Sequence, residues 1–361
     1  MPVKPRAHIA RLQRLRNVDD DRSHYLRLDK NENLTGLPDA VIADFRQFIT
    51  SDFVTTYPDT SPLYRKLAEQ LGLDVTQIYL SSGSDGGIKS VFETYVEPGD
   101  QVLIVSPTYA MYYVYANMFQ AELQEVSFDP DLVLPVERVL GKIGPRTKLV
   151  CIANPNSPTG TVFSQQELTQ ILRKAEDSGA LFLIDEAYYE YYGETALDLI
   201  GESEHLLITR TFSKAFGLAS ARLGFAVGCA DIIGNLFKTR PMYEINAFAT
   251  ALGGYLVDHP ELVSEHVSAI RDARAWLKGE VKGLGLTLRP GFANFALIDV
   301  GGPERSAKIC ALLAKEKIIV KGGFPEPCMQ PYIRIGLGSV DQMKCFVRKL
   351  DAVLQASPTG F

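Results

Sequence analysis

The stretch TKLVCIANPNSPTGTVFSQQELTQILRKAEDSGALFLIDE, residues 147–186, decides the fold. Its first seven residues, TKLVCIA, form a short apolar run that reads as a buried strand, and ALFLIDE (180–186) reads as another. Between them lies an amphipathic helix. Ser164 stands as its N-cap, Glu167 follows three residues later as in a capping box, and Gly179 closes it. Similar runs recur outward on both sides: QVLIVS (101–106), HLLITRT (205–211) and LGFAVG (223–228). Strands alternating with helices predict an α/β chain with a mostly parallel central sheet covered on both faces. From about Pro260 the texture changes. A long charged helical stretch (260–285) precedes short strand runs at ANFALIDV (293–300) and PYIRIGLGS (331–339). The expected organisation is a large domain over 41–259 and a smaller α+β domain over 260–361 together with residues 1–40, where LRLDKNEN (26–33) completes it. Neither repeats nor low-complexity segments are visible.

The 361 residues are 46% hydrophobic and 22% charged with a net charge of −6, proportions of a globular enzyme rather than a disordered or fibrous chain. A mildly acidic balance argues against a nucleic-acid or anionic-membrane binder. The local basic run RLQRLR (11–16) reads as a solvated helix face. Five scattered cysteines with no C-x-x-C spacing suggest reduced thiols. The first residues lack an apolar leader, and no run approaches the ~20 apolar residues of a membrane span. A cytoplasmic protein is therefore expected.

Two places invite a phosphate. GSDGGIKS (83–90) imitates a P-loop, but Ile88 occupies the position where the second glycine must precede the lysine, and no G-x-G-x-x-G follows the first strand. Nucleotide hydrolysis and hydride transfer are set aside, and no metal site is expected. Within YLSSGSDGGIKSVFETYV the order is strand, glycine turn, helix, so free N–H groups at Gly83, Ser84 and Asp85 can form an anion site or simply a helix start.

The segment TFSKAFGLASARLGF (211–225) sets Lys214 and Arg222 among small and apolar residues. A buried ammonium must find partners or give up its charge, and a lysine that covalently holds an aldehyde does the second. Ser213 and Arg222 can add a hydroxyl and a planar cation to one phosphate. A pyridoxal ring also needs an anion against its nitrogen, which Asp185 at the end of ALFLIDE can supply. Tyr188 can reach the ring's phenolic oxygen, and Tyr109 in SPTYAMYY offers a face to stack on it. Taken singly, each has an ordinary reading: Asp185 as a cap, the tyrosines as rim aromatics, Lys214 as a surface cation. Taken together, in this order, they point to pyridoxal 5′-phosphate.

These motifs, with LDKNEN, YPDTSPLYRKLAEQLG, ANPNSPTGT, IDEAYYEY and YIRIGLGS, make nearly the whole chain similar to the fold type I pyridoxal-phosphate-dependent aminotransferases and, within them, to the histidinol-phosphate aminotransferase family. The resemblance implies the pyridoxal-phosphate-dependent transferase fold and a Schiff base on Lys214, which would also shuttle protons. It implies Asp185 on the ring nitrogen, Tyr188 on the phenolic oxygen, Tyr109 stacked on the ring, and Gly83, Ser84, Asp85, Ser213 and Arg222 at the phosphate. Tyr57 would reach the cofactor phosphate of a neighbouring subunit in a homodimer. Arg334, with Asn33 and Lys321 nearby, would hold substrate. Three departures stand out. In Asn154–Gly160, Ser157 replaces the asparagine that donates to the phenolic oxygen; its hydroxyl can donate there but reaches less far, with or without compensation from Asn156. Lys321 replaces an arginine that grips the substrate phosphate, keeping the charge and losing the fork. The tyrosine-proline segment of the N-terminal arm is absent from HIARLQRLRNVDDD (8–21).

The implied activity is ping-pong transfer of an amino group from an amino acid such as glutamate to a phosphorylated or otherwise anionic ketone. The alternative is decarboxylation of a phosphorylated amino acid of the threonine- or serine-phosphate type, which differs only in the Cα bond held perpendicular to the ring. A pyridoxal-binding regulator would need an appended DNA-binding module, for which the chain has no room.

Overall fold

The helix Gln165–Asp177 forms because both its ends are written in the chain. Ser164 Oγ accepts from Glu167 N while Glu167 closes back on Ser164 N, and Gly179, at φ +70°, takes the left-handed turn that stops it. The flanking strands are buried at every position but one. In the computed structural model, which describes residues 3–12 and 21–356, twelve strands follow in chain order. They are β1 (Leu26–Arg27), β2 (Ile78–Ser81), β3 (Gln101–Ser106), β4 (Glu122–Ser127), β5 (Thr147–Ala153), β6 (Leu181–Asp185), β7 (Leu206–Thr211), β8 (Gly224–Gly228), β9 (Thr287–Leu288), β10 (Phe295–Asp299), β11 (Ile318–Ile319) and β12 (Tyr332–Gly336). The basic run 11–16 and the arm segment 8–21 lie mainly outside the described residues.

Seven strands make one sheet in the order β2-β8-β7-β6-β5-β3-β4. The pairs from β4 through β3, β5 and β6 to β7 are parallel. β8 is antiparallel to both β7 and β2, because the residues between β7 and β8 hold a loop and one short 3-10 turn, and a parallel return needs a full crossover helix. Alternate residues of these strands enter different cores: Val150, Ile152, Phe182 and Ile184 pack on one face, Leu149, Cys151, Leu181 and Leu183 on the other. Full burial of each such side chain stabilises by about 1.5–3 kcal/mol, so the pattern fixes the register as well as the sheet.

The chain order reverses between β3 and β5, and the loops following these two strands open a crevice at their carboxyl ends, where open α/β sheets bind ligands. A second sheet, β12-β10-β9, is antiparallel and carries the third core with the helices Pro260–Gly283, Pro303–Lys315 and Val340–Gln355. The N-terminal segment lies against it: β1 pairs with β11 in a separate two-stranded sheet, and Gly336 N, on β12, donates to Leu28 O at 2.7 Å. Residues 28–31 are thereby laid across the crevice.

Candidate functional site

One cavity at the crevice is lined by residues from six separate stretches: Ser84 and Asp85; Tyr109; Ala153 and Ser157; Asp185, Ala187 and Tyr188; Thr211, Ser213 and Lys214; and Arg222. Lys214 and Asp185 share it. Each follows the carboxyl end of a strand, β2, β3, β5, β6 or β7, so the sheet itself gathers them.

Asp185 ends β6 and is buried. Its carboxylate accepts from Thr209 Oγ1 at 3.2 Å and Tyr112 Oη at 3.4 Å, with no cation in ion-pair range among the described residues. Burial pushes its pKa up to about 7, against the smaller opposing effect of the Thr209 hydrogen bond. Glu186, the next residue, is equally buried yet paired: Arg210 donates to it from Nε at 3.0 Å and Nη2 at 2.9 Å. An enclosed carboxylate left without a cation, beside one that has its own, is a place for a positive ligand group.

At the other end, Gly83 starts the helix Gly83–Tyr95 at φ +72°. A Cβ there would lie 2.8 Å from Arg222 Nη2, and a Cβ on Gly224 would overlap Gly83 C and Ser84 N. The two glycines keep backbone N–H groups, Ser84 and the guanidinium within one small volume. Arg222 Nη1 donates to Ser213 Oγ at 3.3 Å and has no carboxylate partner among the described residues. This is an anion cradle. The Asp85 carboxylate is occupied elsewhere, accepting from Tyr109 Oη at 3.2 Å and Tyr115 Oη at 2.9 Å, so it anchors the ring of Tyr109. A dianion at the cradle and a protonated ring nitrogen at Asp185 are the two demands of pyridoxal 5′-phosphate, and the residues present fit that group.

Lys214 Nζ donates to Lys30 O at 3.1 Å and Asn31 O at 3.4 Å and lies 5.6 Å from the centre of the Tyr188 ring. Arg334, on β12, has no carboxylate partner among the described residues. Nη2 donates to Asp29 O at 2.8 Å and Nη1 to Ser157 Oγ at 3.3 Å, its Nε is buried without a partner, and its guanidinium carbon sits 5.3 Å from the centre of the Phe295 ring. Desolvation lowers its pKa. A planar cation so held is ready for a carboxylate.

Three residues expected here are not brought to this cavity, and Tyr57, expected at the cavity of a neighbouring subunit, does not line it either. Asn156 is spent in the interior: Oδ1 accepts from Thr108 Oγ1 at 2.7 Å, and Nδ2 donates to Pro107 O at 2.9 Å and Thr159 Oγ1 at 2.8 Å. Its amide is thus directed away from the cavity, which Ser157 lines. Asn33 folds back into an Asx turn, accepting from Thr35 N at 3.0 Å and Gly36 N at 3.1 Å. Lys321 acts through its backbone, pairing with Arg334 across the β-bridge, while the residue as a whole is exposed. Tyr57 is 73% exposed and stacks on Tyr243 with centroids 4.2 Å apart. Sequence reasoning passed over Asn31. Its Nδ2 donates to Tyr188 Oη at 2.9 Å, and its own motif, LDKNEN, was the available signal.

Among the described residues no His, Cys, Asp and Glu cluster is suited to a metal, and no helix is long and apolar enough to cross a membrane. Residues 23–350 match the family model of aminotransferase class I and II. A histidinol-phosphate aminotransferase of Carboxydothermus hydrogenoformans is 33% identical over 340 residues, covering 92% of this chain and 94% of that one. One from Mesorhizobium japonicum is 28% identical over 326 residues, covering 90% and 87%. The crystal structure of the Sinorhizobium meliloti histidinol-phosphate aminotransferase in complex with pyridoxal-5′-phosphate superposes with a TM-score of 0.88 at 22% identity, covering 97% of each chain. Aspartate aminotransferase from Thermus thermophilus with maleate gives 0.80 at 21%, again over 97% of each.

Proposed function

The chain belongs to the aminotransferase class I and II family and is a pyridoxal 5′-phosphate-dependent aminotransferase, and from that premise we propose that it moves an amino group from glutamate to a phosphorylated or otherwise anionic ketone. The observation that carries the reading is Asp185, a buried carboxylate without a cation on the same cavity as Lys214. When bound, the cofactor supplies an electron sink for charge developing at the substrate Cα.

The chain's own residues would do the rest. Asp185 would keep a proton on the ring nitrogen, offsetting the cost of its own burial. Gly83, Ser84, Ser213 and Arg222 would hold the phosphate. Tyr109, braced by Asp85, would cover one face of the ring, and Tyr188 would donate to the phenolic oxygen. Lys214 Nζ, now resting on the carbonyls of Lys30 and Asn31, is the covalent anchor and afterwards the base that takes the Cα proton. Arg334 would receive the substrate carboxylate, replacing the weak Ser157 contact with a two-pronged one. Carboxylate and phosphate present similar oxygen pairs, so one arginine serves both half-reactions.

The working unit would be a homodimer in which Tyr57 serves the partner's cavity. Its 73% exposure, beside Met242 at 83%, supports a surface that is covered in use. Five unpaired cysteines support a reducing, cytoplasmic setting.

Glutamate added to the cofactor-loaded protein converts the visible absorbance of the bound aldehyde form into the near-ultraviolet absorbance of the amine form. Histidinol phosphate, suggested by the relatives' names, is the amine to add to a fresh sample of the aldehyde form, where it should produce the same change. A spectrum unmoved by glutamate and by every common amino acid overturns the proposed transfer.

A further inference from the structure

We infer that Asn31 is a positioning residue that aims the Tyr188 hydroxyl at the cofactor. The inference rests on the cofactor reading above, and three observations carry it.

Asn31 is 3% exposed and sits at φ +55°, a left-handed conformation that asparagine, aspartate and glycine tolerate best. The backbone around it is fixed independently of its side chain: Asn31 O accepts from Asn294 Nδ2 at 3.0 Å, and the neighbouring Leu28 O accepts from Gly336 N at 2.7 Å. The side chain spends its amide on a single partner, Tyr188 Oη at 2.9 Å, while its Oδ1 is buried without any partner.

An amide N–H donated to a phenol oxygen occupies that oxygen's lone pair and leaves the phenol's own hydrogen for another acceptor. On this cavity the acceptor is the cofactor's phenolic oxygen, which Ser157, shorter than an asparagine, serves less well. A hydroxyl that itself accepts a hydrogen bond also donates a stronger one. Asn31 thus carries part of the role that the departure at residue 157 leaves vacant.

With the cofactor bound to Lys214, hydrogen bonds donated by the chain to its phenolic oxygen would lower the pH at which the linkage loses its proton. The charged groups facing the Asn31–Tyr188 pair are Lys214, Arg334 and Asp185, and substitution at 31 leaves all three in place.

Asn31→Asp replaces the donating nitrogen by an accepting oxygen, so Tyr188 turns its hydrogen toward residue 31 and away from the cavity. Asn31→Gly removes the side chain while keeping the backbone angle. Titration of the visible absorbance of the loaded proteins should show the midpoint raised by about one pH unit in Asn31→Asp and by roughly half that in Asn31→Gly. Both cofactor-free variants should melt within a few degrees of wild type.

A role confined to holding the N-terminal segment would leave the Asn31→Gly midpoint where it is, because the backbone bonds persist and that variant adds no charge near Lys214. An unmoved midpoint in Asn31→Gly overturns the inference, and one in Asn31→Asp does so if the glycine variant does not fold. Failure of the wild-type protein to form a coloured complex would instead remove the cofactor reading, and this inference with it.

Discussion

At Asp185 the folded chain holds a carboxylate out of water with only hydroxyl and backbone partners, while Glu186 beside it has Arg210. The consequence can be measured without any substrate. A carboxyl pushed from 3.8 up to about 7 by burial binds its proton more tightly in the folded state than in the unfolded one. Its stabilising contribution in the cofactor-free protein is therefore full below about pH 4 and lost as pH rises through 7. Asn in that position carries no charge to strand, and it can accept from Thr209 and donate to Tyr112. Denaturant melts of the cofactor-free proteins should show Asp185→Asn gaining on wild type between pH 5 and 8, ending ahead by roughly 1–3 kcal/mol. In the loaded enzyme the order reverses, because the substituted amide cannot hold a proton on the ring; kcat falls by about 10²–10³-fold. A flat difference across that pH range would remove the premise that this carboxylate waits for a cation. Charge chemistry of this sort was legible in the sequence, since an acid at the end of a buried strand is anomalous wherever it occurs. The choice among asparagines was not. Asn31 and Asn33 stand two residues apart in one motif, and Asn156 adjoins Ser157, yet in each pair a single backbone turn decides which side chain reaches the cavity or a residue lining it.

Among the elements, the contact between β8 and the start of the helix Gly83–Tyr95 is where packing meets ligand binding. Gly224 lies so close to Gly83 and Ser84 that a methyl group there would overlap backbone, and it would also come within 2.8 Å of Arg210 O. Backbone cannot swing aside as a side chain can. Gly224→Ala should force β8 and the cradle apart, costing about 1–3 kcal/mol of stability and weakening cofactor binding at least roughly tenfold, or about 1.4 kcal/mol, in a titration followed by absorbance. Gly234 lies within the helix Ala230–Thr239, and a methyl group added to it would meet no atom within 4 Å. There the same change should stabilise by about 0.5–1 kcal/mol and leave affinity alone. Equal effects at both glycines would show that close approach is not what the first one provides. Elements of this kind were the most readable part of the chain. The capping box at Ser164 and Glu167 and the buried strands follow from local rules. β4 (Glu122–Ser127) escaped them because it is an edge strand, with one buried residue of six and a polar, charged sequence.

Over the whole molecule the site is a product of long-range assembly: Asp29 to Asn31, the strand ends from β2 to β7, and Arg334 meet although some 300 residues separate their extremes. Hydrophobic periodicity says which face of each element is buried, and nothing about which distant segment will cover it, so only the family resemblance brought Arg334 to this place in advance. The same reasoning applies to the surface that remains. The helices Asp39–Phe48 and Ser51–Thr55, Tyr57 and the segment 240–248 are tied together by aromatic contacts, Phe45 to Phe248 at 6.4 Å, Phe53 to Phe248 at 5.1 Å and Tyr57 to Tyr243 at 4.2 Å. Around those contacts Phe48, Val54, Met242 and Tyr243 stand more than half exposed. A contiguous apolar face of that kind is unfavourable in water and typical of a subunit contact. Sedimentation should therefore give the wild-type protein a mass about twice the 39.9 kDa of one chain. Met242→Glu, which sets a charge among these exposed apolar residues and lies outside the cavity lining, should shift the mass toward a single chain, since a desolvated and unpaired carboxylate costs several kcal/mol at an interface. Separated chains would lack the phosphate contact proposed for Tyr57 from the partner, so the loosened variant should also bind cofactor about tenfold more weakly, and raising protein concentration should restore both properties together. A wild-type protein that sediments as one chain and still binds cofactor tightly would show that each cavity is complete by itself.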